Sequence, residues 1–130
     1  MTLNPQYVMV GKEFVPQYYA MFDDPLKRAE LQKLYSPTDS YMTFEGDQVQ
    51  GAAKIIEKVL GLSIQKISRV ITTIDSQPTI DGGILVNVMG RLQCDEDPTH
   101  SFSQVFLLKP KAGAFYIAHD VFRLGLHNTA

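Results

Sequence analysis

Cysteine is almost missing from this chain: Cys94 is the single one in 130 residues. A lone thiol cannot close an intrachain disulfide and fits a reducing compartment. No run of 18 or more apolar residues occurs, so no transmembrane helix is expected. Met1-Thr2-Leu3-Asn4-Pro5 has neither a basic n-region nor an apolar h-region, and no secretory signal is expected there. Basic charge is not in excess; the formal net charge of −2 argues against nucleic acid or an anionic membrane as partner. Three scattered histidines and one cysteine lack zinc-ligand spacing, and Gly82-Gly83 is a turn without a phosphate-loop motif around it. Neither metal nor cofactor is expected. What remains is 45% apolar and 20% charged, the balance of one soluble intracellular domain spanning 1–130.

The first third reads as helical. Tyr7, Val10, Phe14, Val15, Tyr18, Tyr19 and Phe22 recur at steps of three and four, the stripe of an amphipathic helix. That periodicity holds on both sides of Pro16, which predicts one helix with a local fault at the Lys12 carbonyl. Asp23-Asp24-Pro25 breaks the pattern, with Asp24 as N-cap and Pro25 as first residue of a second helix. Leu31, Leu34 and Tyr35 would face the core from it, and Lys27, Arg28, Glu30 and Lys33 would face water. A third helix is predicted over 51–60, with Ile55, Ile56, Val59 and Leu60 inward.

The remainder reads as strands. Residues 41–45 and 48–50 flank Gly46-Asp47, a hairpin turn pair. Longer runs follow at 66–74, 84–94, 102–109 and 115–124, separated by turn-rich segments. Helices first and strands afterwards predict an α+β class. In 84–94 one face holds Ile84, Val86, Val88, Gly90, Leu92 and Cys94, and the other holds Leu85, Asn87, Met89, Arg91 and Gln93. In 102–109, Phe102, Phe106 and Leu108 oppose Val105 and Leu107. Strict alternation over 115–124 sets Phe115, Ile117 and Val121 against Tyr116, Ala118, Phe122 and Leu124. The helices can cover one apolar face, and the half-apolar second face predicts a second copy of the chain as its cover.

An ordered set of segments resembles the nuclear transport factor 2 family. It runs from Phe14-Val15, Gln17-Tyr18-Tyr19 and Phe22-Asp23 through Thr43-Phe44-Glu45-Gly46 and Gln50-Gly51. Gln65-Lys66-Ile67, Gln77-Pro78-Thr79 and Asp95-Glu96-Asp97-Pro98 follow. Phe106-Leu107-Leu108-Lys109, Asp120-Val121-Phe122-Arg123-Leu124 and Leu126-His127-Asn128 close it. The resemblance implies a cone of three helices on a strongly bent mixed or antiparallel sheet, with a hydrophobic cavity at the wide end. It also implies a homodimer that binds Ran-GDP and Phe-x-Phe-Gly nucleoporins and moves Ran into the nucleus. Cytoplasm and nucleus, with enrichment at the nuclear pore and envelope, are the expected locations.

The resemblance further assigns Glu45, Asp95 and Asp97 to an acidic rim that pairs with basic residues of Ran. Turn chemistry alone would also explain the last two. Phe44 stands where the family commonly has a tryptophan on the cavity wall. Leu62, Ile67, Leu92 and Phe122 are the further lining candidates; each also suits ordinary core packing. Tyr7 stands where a tryptophan is implicated in nucleoporin binding, and sealing the helix onto the core is its other reading. The alternative class is a small cavity-containing enzyme of the same fold, an isomerase or dehydratase, with acids and bases drawn from His119, Asp120 and the tyrosines Tyr18, Tyr19, Tyr35 and Tyr41. No pair among these has a distinctive catalytic spacing, and His119 and Asp120 are expected on opposite faces. His100 is read as a turn residue and His127 as terminal. A trafficking or messenger-RNA-export module of the same fold is a third class, less favoured by the short tail after Leu124.

Overall fold

A computed structural model describes residues 3–125. Helix α1 spans Tyr7–Phe22 and buries Gly11, Val15, Tyr18, Tyr19 and Phe22. It continues unbroken through Pro16, which lies on its exposed side. An interior proline costs about 3 kcal/mol, and burying the aromatic stripe contributes roughly 1.5–3 kcal/mol per side chain, so packing holds the helix together.

The second helix departs from expectation. It is a 3-10 helix over Arg28–Leu34, preceded by a turn in which the Asp24 carboxylate accepts from the Leu26 N–H at 2.9 Å. Asp24 therefore caps a turn, and Pro25 does not open an α-helix. Arg28 is buried, not in water. Its Nε donates to the Phe22 carbonyl at 2.7 Å and its Nη1 to the Ile64 carbonyl at 2.8 Å, so it ties this segment to both neighbours. Helix α2 spans Ala52–Leu60 and buries Ala52, Ile55, Ile56 and Val59. Leu60, expected inward, is 49% exposed, because the last turn buries Val59 and the next residue around the helix points away from that face.

The strands are β1 (Tyr41–Phe44), β2 (Asp47–Gln50), β3 (Ile67–Pro78), β4 (Ile84–Cys94), β5 (His100–Lys111) and β6 (Ala114–Leu124). They form one sheet in the order β2-β1-β6-β5-β4-β3. β1 runs parallel to β6 and every other pair is antiparallel, so the sheet is mixed. The β1–β2 turn is Glu45-Gly46, one residue earlier than the sequence pattern predicts. Both residues have positive φ, +51° and +90°, as a mirror-image hairpin turn demands. β3 also outruns its prediction: Asp75 to Pro78 stay paired to β4, because an edge strand tolerates a proline. His100, read as a turn residue, begins β5.

Two bulges bend the sheet. The β3–β4 register slips between Ile71 and Thr73, and the β5–β6 register slips between Leu107 and Leu108, where Ala118 is the extra residue. A bulge adds one residue to one strand and increases the local bend. Gly90 lies opposite the first bulge, where a Cβ would strike the Val70 carbonyl and crowd the Phe102 ring. The second bulge overturns the alternation expected over 115–124. Ile117 and Ala118 are both buried, after which Asp120 and Phe122 point inward and Val121 outward. The helices cover the concave face, and Val15, Tyr18, Leu31, Ile55, Val86 and Phe106 fill the interior between them. The convex face keeps Leu85, Met89 and Val121 exposed.

Candidate functional site

The wide end of the cone is assembled from chain termini of strands. The Glu45-Gly46 turn is fastened to the end of β6: the Glu45 N–H donates to the Phe122 carbonyl at 3.1 Å, and the Glu45 carboxylate accepts from the Leu124 N–H. On the opposite side β4 ends at Cys94 and turns at Asp95, whose φ is +52°. The Asp95 N–H donates to the Lys66 carbonyl at 2.8 Å. Its carboxylate accepts from the Lys66 N–H at 2.8 Å and the Gln65 N–H at 3.2 Å. Asp95 thus has a structural duty that turn chemistry explains, besides facing the opening. Asp97 is exposed, with its N–H donating to the Cys94 carbonyl at 2.9 Å.

Between these two turns opens a cavity of about 360 Å³. Phe44, Leu62, Ile67, Leu92 and Phe122 lie on its wall, and Glu45, Asp95 and Asp97 also line it. They come from five stretches of the chain, Phe44-Glu45, Leu62, Ile67, Leu92 to Asp97 and Phe122, which the bent sheet brings to one place. The Phe44 and Phe122 rings stack at 4.7 Å with 13° between planes, and Phe102 stacks on Phe122 at 6.0 Å. Tyr7 does not line this cavity. It is the first residue of α1, half-buried against the core and beside the exposed Val8 and Met9.

Two further features adjoin the cavity; sequence reasoning missed the first, and of the second it named Asp120 and the tyrosines but neither Gln104 nor their convergence. Arg69 lines the cavity from β3, its Nε and Nη2 donating to the Asp23 carboxylate at 2.9 and 2.8 Å. Its guanidinium lies over the Tyr19 ring at 4.0 Å and the Phe102 ring at 4.9 Å. The signal was present: Arg69 shares inward parity with the half-buried Ile67 and Ile71 on its strand.

The second is a buried polar cluster around Asp120, which is 0% exposed. Tyr35 donates to its Oδ2 at 2.8 Å, Tyr18 to the same oxygen at 3.3 Å, and the Gln104 amide to Oδ1 at 2.7 Å. Tyr19 in turn donates to Gln104 Oε1 at 2.6 Å. Burial pushes the Asp120 carboxyl up to about 6, while the Gln104, Tyr35 and Tyr18 hydrogen bonds pull it back down. Burial likewise raises the Tyr18, Tyr35 and Tyr19 hydroxyls, with the Asp120 charge adding to each. Tyr18, Tyr19 and Gln104 line the cavity and Asp120 does not, so the carboxylate meets the cavity only through these side chains. His119 points outward and stacks on Tyr41 at 5.9 Å. Among the described residues no group of three or more His, Cys, Asp or Glu converges as a metal site would require. His127 lies outside the described residues.

Comparison with known proteins matches residues 10–124 to the nuclear transport factor 2 (NTF2) domain. The chain is 50% identical to the probable nuclear transport factor 2 of Caenorhabditis elegans, with 98% of this chain and 99% of that protein covered. It is 44% identical to nuclear transport factor 2 of Candida albicans, over 94% of this chain and 98% of that one. The solved structure of nuclear transport factor 2 from Cryptosporidium parvum superposes with a TM-score of 0.90 at 40% identity, covering 96% of this chain and 99% of that one.

Proposed function

This chain belongs to the nuclear transport factor 2 family, and from that premise we propose that it is a homodimeric carrier that binds Ran-GDP and Phe-x-Phe-Gly nucleoporins and moves Ran into the nucleus. A role in nuclear transport follows from relatives that carry that name. The finer reading is carried by one observation: an aromatic-walled cavity with Glu45, Asp95 and Asp97 at its opening. An aromatic side chain of the partner fills the cavity, and basic partner residues pair with the three acids. A desolvated aromatic anchor ringed by charge pairs is the usual anatomy of a binding hot spot. The rim charges contribute specificity and association rate more than affinity. Tyr7, with Val8 and Met9 exposed beside it, offers apolar surface for repeat phenylalanines. On this reading the protein cycles between cytoplasm and nucleus and collects at the nuclear pore.

The enzyme alternative is the less favoured reading. Asp120 has the raised carboxyl pKa that such chemistry wants, but it does not line the cavity and meets it only through Tyr18, Tyr19 and Gln104. A pull-down with purified Ran, loaded separately with GDP and with GTP, tests the carrier reading. Selective capture of the GDP form is expected. Equal capture of both forms, or of neither, would overturn it.

A further inference from the structure

Sheet register places His119 inside the apolar patch of the convex face. Leu85 on β4 pairs with Leu107 on β5, Leu107 with His119 on β6, and His119 with Tyr41 on β1, so the four form one row across the sheet. The next row is Asn87, Val105, Val121 and Thr43, which carries no charge. His119 is exposed between the buried Ala118 and Asp120, and its ring stacks on Tyr41 with 18° between planes. A stable interface covers about 800 Å² on each partner, a patch reaching roughly 16 Å from its centre. His119 lies two residues from Val121 along β6 and one strand from Leu107, well inside such a patch. A second copy seated on Val121 therefore covers His119 as well. Two-fold pairing then takes two imidazoles out of water in each dimer.

The other titratable groups on this side do not offset a charged imidazole. Lys109 and Tyr116 lie toward the β5–β6 turn, and Arg123 and Arg91 lie beyond Val121. Of the acids, Asp75 is on the edge strand β3, Glu45 accepts from the Leu124 N–H, and Asp39 accepts from the Thr38 hydroxyl in the turn before β1. Among the described residues none of them forms an ion pair with His119. Burying an unpaired charge is far more costly than burying a neutral ring. The Tyr41 ring attracts a cation in the free chain and in the pair alike, so it does not alter the balance.

We infer that His119 makes the pairing of two copies pH-dependent: the dimer forms with neutral imidazoles and loosens as they take up protons. The inference rests on the homodimer reading and adds its regulation. Pairing expels protons, so the dimer is at full strength above the histidine range and weakens as pH falls through it.

Sedimentation equilibrium over a concentration series tests this, with circular dichroism confirming the fold at each pH. The dimer dissociation constant is expected to be at least tenfold higher at about pH 5.5 than at about pH 7.5, the span in which histidine gains its charge. His119→Gln should pair like the wild type at the higher pH and lose this dependence, whereas His100→Gln should keep it. His119→Lys, charged throughout, should pair weakly at both. Asp120 titrates nearby but faces inward and is common to every variant, so it cancels from the comparison. An unchanged constant, tighter pairing at the lower pH, or a dependence that survives in His119→Gln would overturn the inference and leave the dimer standing. A wild-type monomer at both pH values would remove the dimer reading and this inference with it.

Discussion

Asp95 and Asp97 occupy one turn, but their side chains do different things. The Asp95 carboxylate holds the Lys66 and Gln65 N–H groups and its backbone sits at positive φ, whereas Asp97 is simply exposed. Asp97→Lys is therefore the clean probe of the rim: loss of Ran-GDP capture is expected with thermal unfolding unchanged. Capture in the wild type should also weaken with added salt, since exposed pairs are screened over about 8–10 Å at physiological ionic strength. Normal capture by Asp97→Lys would remove that residue from the site. Asp95→Lys should lose capture and also about 1 kcal/mol or more of stability, because two backbone donors lose their acceptor. Asp120 yields a pH prediction. Its carboxyl is raised from the usual 3.8 to about 6 by burial, so the folded state holds a proton between those values that the unfolded chain releases. That contribution is complete below about pH 4 and is lost as pH rises through 6, on the order of 3 kcal/mol in all. Asp120→Asn should flatten this part of the stability–pH curve relative to wild type in denaturant titrations at pH 4 to 7. Parallel curves for the two proteins would show that the carboxyl is not raised.

At the scale of elements, helix α1 is the clearest contest between local cost and tertiary gain. Pro16 cannot donate to the Lys12 carbonyl and its ring crowds that carbonyl, yet the helix spans Tyr7–Phe22. Tyr18, Tyr19 and Phe22 are each under 10% exposed, and their burial outweighs the break. Pro16→Gln is expected to raise the unfolding free energy by about 1–3 kcal/mol and to leave Ran capture unchanged. A loss of stability in chemical denaturation would refute that account. The same helix was legible in the sequence because its stripe is long and periodic. The 3-10 helix was legible as helical but not by type, since an Asp24 turn and the buried guanidinium of Arg28 set its geometry. β6 was legible as a strand, whereas its bulge at Ala118 was not; alternation on paper puts Val121 with Ile117, and the bulge puts them on opposite faces.

For the whole molecule, the convex face is the open question of energetics. Leu85, Met89 and Val121 are exposed there, with Val105 and Leu107 half-buried beside them. We propose that a second copy covers this face, and light scattering at micromolar concentration is expected to give twice the 14.6 kDa chain mass. A monomeric mass would sink the proposal. Met89→Glu and Val121→Glu alter exposed side chains and should yield folded monomers, because charge at the centre of an apolar interface is expensive.

Some of this was decided by the order of residues alone. Helical stripes, turn clusters and strand runs record local periodicity, and they determine the α+β class, the inward set of β4 and the two-faced sheet. The family resemblance, carried by the ordered segments, names Phe44, Leu62, Ile67, Leu92 and Phe122 as candidates for one cavity wall, with ordinary core packing as the other reading of the last four. Tertiary structure decided the rest. Which acid also braces a turn, which arginine enters the cavity and where a carboxylate is sealed under two tyrosines depend on contacts between residues far apart in sequence. Tyr18 and Asp120 meet across 102 positions, and Arg69 and Asp23 across 46. Periodicity is a local quantity and carries no record of such pairings; they arise only when two bulges bend the sheet and bring distant side chains out of water together.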